Sequence, residues 1–273
     1  MSAFQAMQAA QVRRAEAQQG RNALHKALEA ALRTLAAAGL SAALSFAAWQ
    51  AWRWASGSQD FALREIRFSG LAHAQKDELL ARSGLHLGEN IFRADLARAA
   101  RAMQSHPWVA SARLTRQLPG TVLAAVVEHR PAALVQLGAL YLLDDEGKLF
   151  KRAAPEDGLD LPLITGLARS SWQGQNLRLF GALHLLDTWQ AAGFAVAALS
   201  EVRLDDDGGT TLFAHDGDQV QEIRLGADDV SRKLRRLAQI RAALARRGER
   251  ASRIDLDNPA RPAEAAATLA DKR

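Results

Sequence analysis

HPWVASARLTRQLPGTVLAAVVEHRPAA, residues 106–133, is the stretch from which the fold can be worked out. Pro107 stops any helix before it, because proline has no N–H to donate and crowds the preceding turn. Residues 108–118 alternate as a half-buried strand, Pro119 and Gly120 turn the chain, and residues 121–128 return. Proline presets one turn dihedral and glycine relieves the next, so the turn has a mechanism. The reading is a hairpin, with Trp108 opening its first strand and buried against a helix that carries Leu96 and Met103.

Upstream of the hairpin, residues 61–69 alternate as a strand, with Leu63, Ile66 and Phe68 apolar and Arg64, Glu65 and Arg67 charged. Residues 75–82 read as a helix with Leu79 and Leu80 inward, ended near Gly84. Asp95 caps a second helix that places Leu96, Ala99, Ala100 and Met103 on one face. The order over 61–129 is therefore β-α-α-β-β.

Further upstream, TLAAAGLSAALSFAAWQAW, residues 34–52, holds 19 residues without a charge between Arg33 and Arg53. As a helix it spans about 28 Å, just enough to cross the hydrocarbon core of a bilayer. Trp49, Trp52 and Trp54 stand at its end, where an apolar ring with one N–H suits the membrane surface. A buried soluble helix seldom runs so far without a charge. A cleaved signal peptide has a shorter leader than the 33 residues present here and a cleavage signal that is not evident after Trp52. An uncleaved signal anchor is the preferred reading. Residues 14–33 hold four Lys/Arg and residues 53–72 hold three, which favours a cytoplasmic N-terminal side. Leu24, Leu28 and Leu32, four apart, suit a short helix leading into the membrane, with the polar run before Gly20 irregular.

Mean hydropathy is −0.16 and no second run of this length exists, so about 220 residues beyond the helix must form soluble structure. There is no cysteine, which excludes a disulfide framework and thiolate chemistry. The net charge of +5 is concentrated: residues 1–33 carry +3 and residues 228–253 carry +6, leaving the remainder at −4. Basic charge so confined is poor evidence for nucleic acid.

Downstream, residues 144–147 form a polar turn between two apolar runs. A helix is expected over 174–191, with Leu177, Phe180, Leu183, Leu186 and Trp189 as its stripe. Strands follow near 196–204, 210–215 and 219–225, then a helix over 227–247 with Val230, Leu234, Leu237 and Leu244 inward. A last strand occupies 253–257, with Ile254 and Leu256 on one face and Arg253, Asp255 and Asp257 on the other. Pro259 and Pro262 oppose a regular strand after it.

The stretch 106–133 resembles the hairpin that closes the POTRA domain of the FtsQ/DivIB family of bacterial division proteins, through Pro107, Trp108, Val109, Arg116, Pro119, Glu128 and Pro131. GENIF at 88–92 is similar to the loop before the second POTRA helix. Tyr141, Leu142, Asp144, Gly147 and Phe150, together with LPLITG at 161–166, are similar to the start of the family's second domain. IRLG, KLRRL and RIDLD up to residue 257 are similar to its end.

The resemblance implies an α+β chain: cytoplasmic tail 1–33, transmembrane helix 34–54, POTRA domain 61–129, mixed β-sheet domain 130–258 and C-terminal tail 259–273. It implies a bitopic inner-membrane scaffold at the division septum, with its C-terminal domains periplasmic. Such a scaffold links early division factors to FtsB, FtsL and septal wall synthesis. A POTRA-containing translocation module is the alternative, against which stand the membrane helix and the missing barrel strands.

No metal, cofactor, nucleic acid or small-molecule substrate is expected. The seven histidines have no ligand spacing, the Asp-rich segments 205–207 and 216–218 read as turns, and no nucleophile motif occurs. An enzyme is not expected. In the family, FtsB is thought to dock at the C-terminal edge of the β domain. The partner site is therefore expected at Arg253, Ile254, Asp255, Leu256, Asp257 and Asn258, with a partner strand pairing there and Arg235, Arg236 and Arg246 attracting an acidic segment. Deletion after Asn258 is expected to spare binding.

Overall fold

The computed structural model describes the backbone of residues 3–167, 177–258 and 264–270, and the side chains of all of these except 3–27 and 29. The chain forms two compact units: Met1–Arg67, Leu85–Leu96 and Thr115–Leu123 in one, and Phe68–Gly84, Ala97–Leu114 and Ala124–Arg273 in the other.

The first helix, α1, runs unbroken over Ala3–Gly57. It corrects the expectation of an irregular segment before Gly20. Alanine, glutamine and arginine are strong helix formers, and their summed propensity carries the helix through one glycine. Within it, Ala30–Gly57 is long and apolar enough to cross a membrane, and its residues are exposed as far as Trp54, with Ser56 buried at its end.

A three-stranded sheet follows in the order β1-β3-β2, formed by β1 (Glu65–Ser69), β2 (Val109–Gln117) and β3 (Thr121–Glu128). The helices α2 (Lys76–Ser83) and α3 (Leu96–Gln104) lie between β1 and β2 in sequence, giving the expected β-α-α-β-β order. β1 is shorter than its alternation suggested, since Gln59–Phe61 forms a 3-10 turn. Gly120 is needed for a reason other than turn dihedrals: a Cβ there would lie 2.4 Å from the Ala62 carbonyl oxygen, and the N–H groups of Arg64 and Glu65 both reach the Gly120 oxygen.

The second sheet has nine strands in the order β12-β11-β10-β9-β8-β7-β4-β5-β6. Its strands are β4 (Pro131–Gln136), β5 (Leu140–Asp144), β6 (Leu149–Arg152), β7 (Leu163–Thr165), β8 (Leu199–Leu204), β9 (Thr210–Asp216), β10 (Gln219–Arg224), β11 (Ala251–Asp255) and β12 (Ala266–Leu269). Helix α4 (Leu177–Ala191) connects the parallel pair β7 and β8, and α5 (Val230–Arg246) connects the parallel pair β10 and β11. Parallel neighbours need such crossovers, because a tight hairpin cannot join them. The core buries Trp189, Leu179 and Ala182 of α4 and Leu234 and Leu237 of α5 with Val202, Leu212, Ile223 and Ile254 of the sheet.

The stripe predicted on α4 holds at Leu183, Leu186 and Trp189 but not at its start: Leu177 is 87% exposed and Phe180 42%, while Leu179, Ala182 and Leu185 are buried. Residues spaced strictly by three drift around a helix, so positions 177 and 189 stand about 120° apart at about 100° per residue. Leu179, Ala182, Leu186 and Trp189 step by three, four and three and so stay on one side, with Leu185 beside them. The expected start of this helix at 174–176 lies outside the described residues.

Candidate functional site

Trp49, Trp52 and Trp54 are exposed on α1, and two further regions carry the other residues singled out from sequence. The first surrounds Trp108, which is buried one residue before β2 begins. His73 stacks on its indole at 4.0 Å, Phe150 of β6 lies 5.3 Å away, and the Lys151 ammonium stands 5.6 Å from the ring. Met103, Leu79, Val126 and Leu142 complete the cluster. Met103 is thus a partner as expected, whereas Leu96 is not in this cluster.

Glu128, at the end of β3, has a side chain only 6% exposed. Its carboxylate accepts the consecutive backbone N–H groups of Ala72, His73 and Ala74 at 2.8–3.0 Å. Burial alone would raise its pKa. Those three donors and the His73 ring together outweigh burial, so the carboxyl titrates below its usual range. Asp157 behaves alike: burial pushes it up, and the Lys151 ammonium with the Ala154 N–H brings it below the ordinary value. Asp144, 1% exposed, accepts the N–H groups of Glu146 and Lys148 with Oδ1, closing the turn between β5 and β6. Its Oδ2 shares a 2.7 Å hydrogen bond with His129 Nδ1, and the His129 ring stacks on Phe150 at 4.6 Å. Gly147 in the same turn has φ +83°, and a side chain there would collide with the ring of Phe180. Trp108, Glu128, Asp144, Gly147 and Phe150, scattered over 43 positions in the sequence, thus meet around one junction. The pairing of His129 with Asp144 and the reach of Glu128 to residues 72–74 carry no local sequence signal.

The second region is the C-terminal side of the nine-stranded sheet. Ile254 and Leu256 are buried in the core, as their shared face requires. The expected open edge at 253–258 is corrected. β11 pairs in parallel with β10 on one side and antiparallel with β12 on the other, so its backbone has no room for another strand. The outermost strand is β12, inside the segment 259–273 that was expected to be a tail. All four of its residues are exposed, Leu269 by 51%.

Asp257 also turns inward: its carboxylate lies 3.4 Å from Lys233 Nζ and 3.7 Å from Arg224 Nε. Asp255 Oδ1 accepts the Asp257 N–H, and Arg253 stands 3.9 Å from Glu222. Asn258 is half-buried. On α5, Arg235 and Arg246 are exposed and Arg236 is half-buried. Arg241 packs over Trp189 and Phe194 and donates to Gln221 Oε1 at 2.9 Å. Burial lowers its pKa, with Asp216 pulling the other way, so it serves the core rather than an outside partner. Among the described residues, no group of three His, Cys, Asp or Glu could hold a metal ion.

A family model described as the POTRA domain, FtsQ-type, matches residues 61–129, and one described as Cell division protein FtsQ/DivIB, C-terminal, matches residues 133–257. A cell division protein FtsQ from Anaeromyxobacter sp. (strain K) is 45% identical over 237 residues, 85% of this chain and 80% of that protein. The chain belongs to the FtsQ/DivIB family. Other FtsQ relatives are that of Myxococcus fulvus, 42% identical over 77% of this chain and 74% of its own length, and that of Geobacter sp. (strain M21), 32% identical over 84% and 85%. Membership assigns the chain to bacterial cell division, with division proteins as partners and a membrane anchor. The two family matches meet between residues 129 and 133, where His129 hydrogen-bonds Asp144 and Pro131 of β4 stands opposite Asp144 of β5.

Proposed function

We propose that this FtsQ/DivIB chain is a non-catalytic scaffold that holds a partner at the free edge of β12 and so links early division factors to FtsB, FtsL and septal wall synthesis. The organisation proposed is a cytoplasmic tail 1–33, a membrane helix 34–54 with Trp49, Trp52 and Trp54 at the far surface, and periplasmic POTRA (61–129) and β (130–258) domains. The proposed β domain is extended here to include β12. The observation that carries the proposal is the outer side of β12. Ala270 donates its N–H inward to the Arg250 oxygen, so alternation along the strand turns the N–H groups of Thr268 inward and those of Ala267 and Leu269 outward. An outward row of donors and acceptors is a template for an added strand. Arg246 and Arg235, exposed on α5, supply attraction for an acidic segment.

Two measurements test this reading. A reporter active only outside the cytoplasm should work when fused after Arg273 and fail when fused at Ala3; the reverse pattern contradicts the topology. Arg246→Glu should weaken binding of a purified FtsB-type partner about three- to tenfold at low salt and less at high salt, chiefly through the association rate. Binding insensitive to both the substitution and salt removes α5 from the site.

A further inference from the structure

The end of α1 and the loop 86–93 belong to one compact unit and are tied together by specific bonds. Asn90 donates both protons of its side-chain amide, to the Ala55 oxygen at 2.8 Å and to the Ser58 oxygen at 3.0 Å. Ala55 is in the last turn of the helix, where carbonyls have no partner within the helix, so the amide caps it. Asn90 Oδ1 in turn accepts the Phe92 N–H at 3.0 Å. Arg116 reaches from the β2 end to the Ile91 and Ala94 oxygens, and Ile91 is completely buried. The aromatic rings continue the same attachment: Trp52 meets Phe92 at 5.8 Å, Trp54 meets Phe61 at 5.8 Å, and Phe61 meets Phe92 at 5.1 Å. Leu87, in the same loop, is 63% exposed.

We propose that loop 86–93 seats this unit on the bilayer, with Leu87 and Phe92 lying in the interfacial layer beside Trp52 and Trp54 while Asn90 locks the loop to the end of the membrane helix. The proposal rests on α1 spanning the membrane. A helix that crosses the hydrocarbon core delivers Trp52 and Trp54 to its boundary, and rings within 6 Å of them share that depth. The occupant is lipid by continuity with the helix. Charge does not do this work: from Arg53 onward the unit carries five arginines against four carboxylates. Seating is therefore apolar and indifferent to headgroup charge.

The absence of cysteine allows a single label to be placed on the full chain. In nanodiscs, which leave both membrane faces open to solvent, a fluorophore attached through Leu87→Cys should be quenched by lipids spin-labelled near the headgroup. It should also be about fivefold less quenched by aqueous iodide than one attached through exposed Gln190→Cys, as burial of 5–10 Å into the interface implies. The result should be the same in phosphatidylcholine and in phosphatidylcholine with one-third phosphatidylglycerol. Asn90→Ala should return the Leu87→Cys label towards full iodide access. Leu40→Cys, in the middle of the span, separates the two readings: if its label is not quenched by deeply spin-labelled lipid, the anchor fails and the seat with it. If it is quenched while the Leu87→Cys label remains open to iodide, the seat alone is overturned. Shielding that requires anionic lipid, or that appears only when a partner protein is added, overturns the apolar lipid seat. Shielding that survives Asn90→Ala overturns the lock.

Discussion

Trp108→Ala should destabilise the chain by about 4 kcal/mol, lowering its melting temperature by about 10 °C in detergent. The indole has His73 stacked on it and Phe150 tilted against it, and it packs in one cluster with Met103, Leu79, Val126 and Leu142. These groups come from a loop, two helices and strands of both sheets, so they cannot all move in to fill the space. Cavities that surroundings cannot collapse into are the costly ones. A Trp108→Phe variant should recover at least half of the loss, because it keeps an aromatic ring against His73 and Phe150. An alanine variant that melts with the parent contradicts this packing.

Glu128→Ala should cost about 2 kcal/mol, below the sum of three charge-assisted hydrogen bonds. Ala74 is buried, and its N–H is left without a partner. Ala72 and His73 are exposed, and water can replace the carboxylate there. The same bonds set a pH dependence. The carboxyls of Glu128 and Asp157 both titrate lower in the folded chain than in the unfolded one. Their contribution is therefore complete above the ordinary carboxylate range and is lost as pH falls through their folded values. Urea midpoints should fall from neutral pH towards pH 3, and the Glu128→Ala chain should lose less over that interval than the parent. Parallel pH curves for the two chains contradict the role given to Glu128.

The sequence made legible those elements whose side chains alternate between core and solvent. β3 alternates over Val122, Ala124 and Val126, and its bounds were read correctly; α5, with Leu234 and Leu237 on one face, was found within three residues. β12 escaped for a physical reason. Ala-Ala-Thr-Leu has no period, every side chain is exposed, and the strand is held by backbone bonds to β11 together with one from the Ser252 hydroxyl. Pro259 and Pro262 restrict only their own positions, and β12 begins four residues beyond Pro262. Asn90 escaped differently. GENIF reads as a loop, yet an amide that bonds the end of a helix 35 residues earlier and the residue just after it leaves no trace in local spacing. The aromatic end of α1 was seen as a membrane feature, while its contacts with Phe61 and Phe92 required the fold.

The central claim is that a partner adds a strand to β12, and proline placed on its outward side tests it most directly. Ala267→Pro and Leu269→Pro each remove an outward N–H while leaving intact the inward bonds to β11, an arrangement an edge strand tolerates. Binding of a purified FtsB-type partner to the full chain in nanodiscs is the measurement, with the melting curve as a control for folding. The account predicts at least a tenfold loss of affinity for each variant, and an equal or greater loss on deletion after Asn258, with melting changed by only a few degrees. Unchanged affinity in both proline variants, with the partner still bound to the chain ending at Asn258, would contradict it.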